Sequence, residues 1–116
     1  MLKLPSFLTK LEVQVLSAMV HGNAEQNEIF MAQFDSCKLE RREINGYGFF
    51  THFVMIVDVP ALSWTNHIIH AHAVIGGESC GFMLWIEDGK IDFLEGYPLG
   101  GDAWPRGESI EGLTVD

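Results

Sequence analysis

The chain has 116 residues, of which 47% are hydrophobic and 20% charged, and this composition suits one globular domain spanning residues 1–116. Seven basic residues against sixteen acidic ones give a net charge of −9 at pH 7 with neutral histidines. Because phosphate groups and anionic lipids attract basic proteins, this charge argues against nucleic-acid and membrane partners.

The first part of the chain predicts two helices between about residues 7 and 35. Thr9 and Glu12 have the spacing of a capping box, in which each side chain bonds a free backbone N–H of the first helical turn. The first helix has only a narrow polar stripe, which is typical of a mostly buried helix. Asn23 is expected to open the second, shorter helix. Pro5 interrupts the apolar N-terminus, which therefore resembles an ordinary helix more than a signal peptide.

From about residue 38 the hydrophobic pattern changes to a period of two, which predicts strands up to about residue 97. Short links between strands favour an antiparallel meander, and the two preceding helices must then cover one face. The predicted architecture is therefore α+β, with two N-terminal helices on one face of a sheet of about five strands. Residues 98–116 are rich in glycine and proline and are predicted to form an irregular tail. The predicted strands are 38–44, 49–57, 67–75, 81–87 and 90–96.

The Asp88-Gly89 pair predicts a type I′ hairpin turn, which fixes the register of the last two predicted strands. An uninterrupted register sets Trp85 opposite Asp92. The core face is then predicted to contain Phe82, Leu84, Ile86, Ile91 and Phe93, with Glu95 at its end. The other face carries an apolar strip of Met83, Trp85 and Leu94, which a loop, the tail or a second subunit could cover.

Glu95 is the least expected residue on this predicted core face. A buried carboxylate must be paired or protonated, and Arg41 or Arg42 is the natural partner. Such a pair could fix the end of the sheet. Alternatively, Glu95 beside Tyr97 and Trp104 could line a small polar pocket. In either case the register predicts that Glu95→Ala costs more stability than the same change at Asp92.

Four histidines in predicted strands raise the question of a metal site. In segment 67–75, His70 and His72 are predicted to share one face, with His67 on the opposite side. His52 in the neighbouring predicted strand could supply a third ligand. The other interpretation is that the alanines of this segment pack on the helices while the histidines occupy the more polar face. No HExxH or comparable motif favours the metal site.

Two stretches, "REINGYGFFTHF" (42–53) and "GFMLWIEDGKIDFLEGYPLGGDAWP" (81–105), resemble a set of small uncharacterised bacterial proteins. The shared pattern consists of an RE(x)TG(x)GFFTxF motif followed by GFxLxxxDGxxxxLEGYxxG and a Trp-Pro pair. This chain departs from the pattern at Asn45, where threonine is usual, and at Pro98-Leu99, where Thr-Tyr is usual. The resemblance implies a bacterial, cytoplasmic protein of this fold and implies no activity. The candidate binding residues, all at matched positions, are Arg42, Glu43, Glu95, Tyr97 and Trp104.

These observations favour a binder over an enzyme. Cys37 and Cys80 lack metal or redox spacing and are expected to be free thiols, and acidic Glu78 disfavours Cys80 as a nucleophile. We expect a non-catalytic binding or protein-interaction module, similar to small immunity proteins in size and charge only, with no cofactor and no catalytic residues. The partner is expected to be a protein or a small molecule, and a homodimer is possible through Trp85. The alternative is a metal- or small-ligand-binding protein that uses the sheet-face histidines.

Overall fold

The computed structural model describes residues 4–101, 103–107 and 109–116, and it combines two helices with one antiparallel sheet of six strands. The predicted α+β class is confirmed. None of the helices in these described segments has the length and apolar character needed to cross a membrane. The elements in chain order are α1 (Lys10–His21), a 3₁₀ turn (Ala24–Gln26), α2 (Asn27–Ser36), β1 (Cys37–Ile44), β2 (Phe49–Met55), β3 (Asn66–Ile75), β4 (Glu78–Glu87), β5 (Lys90–Pro98) and β6 (Ile110–Val115).

The strand order β1-β2-β5-β4-β3-β6 differs from the predicted meander. Strands β3, β4 and β5 do form a meander, but β2 pairs with β5 rather than with β3, so residues 56–65 cross between distant strands. The predicted irregular tail is wrong for Ile110–Val115, which pairs with the free edge of β3, whereas residues 102 and 108 of that tail lie outside the described residues. Gly112, at φ +61°, interrupts the alternation that would have indicated this strand.

The core lies between the helices and one face of the sheet, here called the inner face. The predicted alternation in β3 is confirmed, because Ile69, Ala71, Ala73 and Ile75 are buried there while His70 and His72 are exposed on the outer face. The buried side chains of α1 and α2 join the inner-face residues in one hydrophobic cluster. The predicted capping box of α1 is also present, with both of its reciprocal hydrogen bonds.

One buried polar side chain connects α2 to the β4–β5 turn. Gln33 is fully buried, and its Nε2 donates to the carbonyl oxygens of Pro60 and Gly89 at 2.9 and 2.8 Å. Its Oε1 accepts from the backbone N–H of Ile91 at 2.9 Å. A single amide thereby bonds three backbone groups, of which the Gly89 carbonyl also accepts from the Leu62 N–H, and it fixes the hairpin to the helix.

A bulge at Asp92 corrects the predicted register of this hairpin. Ile86 still pairs with Ile91, but Trp85 pairs with Phe93, so Asp92 is an extra residue in β5. Beyond the bulge every side chain of β5 changes face. Leu94 is therefore buried in the core, while Phe93 and Glu95 lie on the outer face. The predicted core positions of Phe93 and Glu95 are therefore wrong. The expectation that Glu95→Ala costs more stability than Asp92→Ala loses its basis, because it depended on a buried Glu95.

A second bulge, in β1, brings Arg42 into the interior. The register against β2 shifts between Leu39 and Arg41, which makes Glu40 the extra residue. Without this shift Arg41 would face inward. With it, Arg42 lies opposite the fully buried Thr51, and Arg41 remains exposed on the outer face. The two bulges therefore decide which charged residues of the sheet face the helices.

Candidate functional site

The outer face of the sheet carries a row of half-buried rings that crosses three adjacent strands. The indole of Trp85 in β4 lies 5.2 Å from the ring of Phe93 in β5, at an interplanar angle of 21°. The Phe93 ring in turn lies 5.2 Å from the His52 imidazole and 5.9 Å from the Phe50 ring, both in β2. We call these four residues the aromatic row. The Trp85 Nε1 atom is buried there and has no hydrogen-bond partner among the described residues.

A groove of about 730 Å³ runs along the β3 side of the aromatic row. Its floor includes Trp85 and Phe93, and one end is acidic because Glu87 and Asp92 lie there. A hydrogen bond to Asp92, and then the negative charges of Asp92 and Asp88, raise the pKa of the Glu87 carboxyl above its ordinary value. Repulsion among these carboxylates creates a local preference for a cation. We call this feature the acidic groove, and the residues that line it include Ile68, His70, Trp85, Glu87, Asp92 and Phe93.

The structure does not bring the predicted metal-ligating histidines together. His70 and His72 are neighbours on β3, but β5 and β4 separate that strand from His52 in β2. At about 4.8 Å per strand, the separation is on the order of 14 Å. His52 Nε2 is instead 2.8 Å from Glu43 Oε2, and His72 Nδ1 is 2.9 Å from Asp116. Within the described segments no group of three potential ligands could hold a metal ion.

The five predicted binding residues divide between the two faces. Glu43, Glu95 and Tyr97 lie on the outer face, whereas Arg42 and Trp104 lie on the inner side. Burial, followed by the negative charges of Glu95 and Asp116, raises the pKa of Tyr97. The predicted single pocket of Glu95, Tyr97 and Trp104 is therefore wrong, because the bulge at Asp92 turns Glu95 away.

The predicted pairing of Glu95 with an arginine is also wrong. Arg41 is exposed and bonds Glu40 at 3.0 Å. Arg42 reaches α1, where its Nη2 donates to Glu12 Oε1 at 2.6 Å. The Glu12 side chain is only 2% exposed, and it also accepts from the backbone N–H of Thr9 at 2.8 Å and from the Thr51 hydroxyl. The sequence identified Glu12 only as a capping residue, and no local pattern indicated its partner thirty residues away.

A second cavity lies beside this ion pair, at the first turn of α1. It has a volume of about 460 Å³, and its walls combine the side chains of Ile44, Phe49 and Trp104 with those of Arg42 and Arg106. The Phe49 and Trp104 rings meet edge to face at 5.4 Å. The backbone N–H of Trp104 donates to the Gly46 carbonyl at 2.8 Å, which holds segment 104–106 against the β1–β2 turn. We call this cavity the α1 pocket.

Both cysteines are buried free thiols, as expected from the sequence. Burial raises the pKa of Cys37 and of Cys80 to about 11, so both are protonated at neutral pH. The Cys80 thiol is inaccessible and donates to the Ala73 carbonyl at 3.6 Å. This environment is the opposite of the electropositive, accessible setting that a nucleophilic cysteine needs.

The chain matches no protein-family model, no curated protein and no solved structure. The function must therefore be argued from the structure itself, and the two larger cavities and the aromatic row carry that argument. Of their residues, the sequence indicated Trp85, Arg42 and Trp104, and it singled out His52 and His70 as alternative metal ligands. It placed Phe93 in the core. One signal for the acidic groove was readable, namely the density of acidic residues in "EDGKID" (87–92).

Proposed function

We propose that this protein is a non-catalytic binding module that docks a basic segment of another protein on the outer face of its sheet. The observation that carries this proposal is the acidic groove. There, the carboxylates of Glu87 and Asp92 lie beside the aromatic surface of Trp85 and Phe93. Arginine and lysine side chains fit such a surface, because they pack on aromatic faces and pair with carboxylates.

The chemistry of the remaining groups supports binding over catalysis. The two cysteines are buried with raised pKa values, and the imidazoles at positions 52 and 70 lie on separate strands. The aromatic row also places half-buried rings at the centre of the outer face, where they leave part of their apolar surface accessible. Exposed apolar surface with a polar rim is typical of an interaction site.

The net charge favours a basic partner over a second copy of the chain. Each molecule carries a formal charge of −9, and a homodimer through this face would bring two acidic grooves close together. Repulsion would oppose that arrangement, whereas a basic partner gains from it both in encounter rate and in specificity. A homodimer through Trp85 is therefore the second candidate occupant, and light scattering at high concentration distinguishes it from a monomer awaiting a partner.

A short peptide of alternating arginine and leucine tests the proposal by calorimetric titration. The variant Glu87→Gln/Asp92→Asn removes two charges from the acidic groove. The matched control, Glu25→Gln/Glu28→Gln, removes two exposed charges from the helical side. We expect the groove variant to bind the peptide about tenfold more weakly, since each exposed ion pair contributes up to about 1 kcal/mol.

The control variant should bind within about twofold of the parent protein at the same ionic strength. Circular dichroism and melting temperature establish that both variants are folded. Equal weakening by both variants would mean that the peptide responds to net charge alone, and the proposal would then be rejected.

A further inference from the structure

The α1 pocket is apolar on most of its surface and positive at its polar points. Phe49, Trp104 and Ile44 form apolar walls, and Ile44 is 76% exposed although it is a large aliphatic residue. A cavity of this size is in the range that holds small organic ligands, which are usually bound by apolar walls with a few placed polar groups.

Positive charge converges on this cavity from three directions. Two of the three arginines of the chain, Arg42 and Arg106, line it, although the protein as a whole is strongly acidic. The first turn of α1 also borders it through Thr9 and Glu12, and the N-terminus of a helix carries the positive end of its dipole. The cavity therefore offers two arginine side chains and the positive end of a helix to an anion.

Among the described residues that line the pocket, the one carboxylate does not cancel this preference. Glu12 is buried, and its oxygens already accept from Thr9, Thr51 and Arg42. It therefore has little capacity left for a cationic ligand. The Arg42 guanidinium, by contrast, bonds the protein through Nη2, and its side chain is 23% exposed where it lines the cavity. The exposed part of the guanidinium is therefore available to the oxygen of a ligand.

We propose that the α1 pocket binds a small organic carboxylate with an apolar body. The carboxylate lies between Arg42 and Arg106, and the body packs against Phe49, Trp104 and Ile44. This site is on the opposite side of the sheet from the acidic groove and does not depend on the docking function proposed above. It places Trp104 and Arg42 in a binding site, although neither residue lines the acidic groove.

The test uses 3-phenylpropanoate and octanoate as probes, followed by amide NMR spectra and calorimetry. We expect millimolar or tighter binding, with the largest shift changes at Gly46, Gly48, Phe49 and Trp104. The neutral analogue 3-phenylpropanamide should bind about tenfold more weakly, because a charge-assisted arginine contact is lost. Inorganic phosphate should also bind weakly, because it lacks the apolar body.

Substitution of exposed Arg106 avoids the folding defect that a change at Arg42 risks. Arg106→Gln should weaken 3-phenylpropanoate about tenfold. The matched control Lys38→Gln removes the same charge from the exposed surface of β1 and should change the affinity less than twofold.

Several outcomes would overturn the proposal. These are the absence of millimolar binding for both carboxylates, equal affinity for the acid and its amide, tighter binding of phosphate, or equal effects of the two substitutions. None of these outcomes bears on the peptide titration of the acidic groove, so the two proposals succeed or fail separately.

Discussion

Replacement of Arg42 by methionine tests the buried ion pair most severely. The substitution keeps much of the apolar stem but leaves the Glu12 carboxylate, 2% exposed, without its cation. Removal of one member of a buried pair typically costs about 3–5 kcal/mol. Glu12 keeps the donors of Thr9 and Thr51, and Arg42 itself is 23% exposed, so we expect the lower end, about 3 kcal/mol.

Urea denaturation followed by circular dichroism measures this loss, and for a chain of this length it corresponds to a fall of about 12 °C in Tm. The neighbouring residue offers a matched control. Arg41→Met removes the same charge from a side chain that is 56% exposed and bonded to surface glutamates, so we expect less than about 1 kcal/mol. Similar losses for the two variants, or a loss below about 1 kcal/mol at Arg42, would refute the assignment of the inward-facing arginine.

Three further predictions concern the core and its close contacts. Gln33→Leu should cost about 3 kcal/mol and speed amide exchange in the β4–β5 turn, because the Pro60 carbonyl and the Ile91 N–H lose the bond from this side chain. Unchanged exchange would contradict this role. Gly48→Ala would place a Cβ 1.9 Å from a backbone carbonyl oxygen of β5 and should cost about 2 kcal/mol in the same urea titration. The control Gly100→Ala, whose Cβ would meet nothing within 4 Å, should cost less than about 0.5 kcal/mol. Cys37 and Cys80 should react with a thiol reagent at neutral pH only after unfolding, because burial raises the pKa of both thiols to about 11 and keeps them protonated. Prompt reaction of the folded protein would count against this.

The fold class could be predicted from the sequence because its signals are local. The capping box at Thr9, the alternation of β3 and the Asp88-Gly89 turn each depend on residues a few positions apart, and all three are confirmed. The strand order could not be predicted in the same way. Whether β2 pairs with β3 or with β5 depends on contacts between residues far apart in sequence, and the crossing segment 56–65 carries no pattern that indicates its destination.

The face of the sheet on which each side chain lies could be predicted only up to the first bulge of a strand. Period-two alternation assigns faces correctly until one extra residue occurs, and every later assignment in the strand is then reversed. The extra residue Asp92 reverses Phe93, Leu94 and Glu95. In β1, Glu40 selects Arg42 over Arg41 as the partner of the helix. Neither bulge contains a glycine that would mark it in the sequence.

The outer surface described above exists only if Asp92 is the extra residue of β5, so the cross-strand pairing of the hairpin is the most direct test. Nuclear Overhauser contacts on ¹³C-labelled protein measure it. We expect contacts between the Trp85 and Phe93 rings, which are 5.2 Å apart, and between the side chains of Leu84 and Leu94. Contacts of Leu84 with the Phe93 ring, in place of those with Leu94, would contradict the bulge and remove the aromatic row from the outer face.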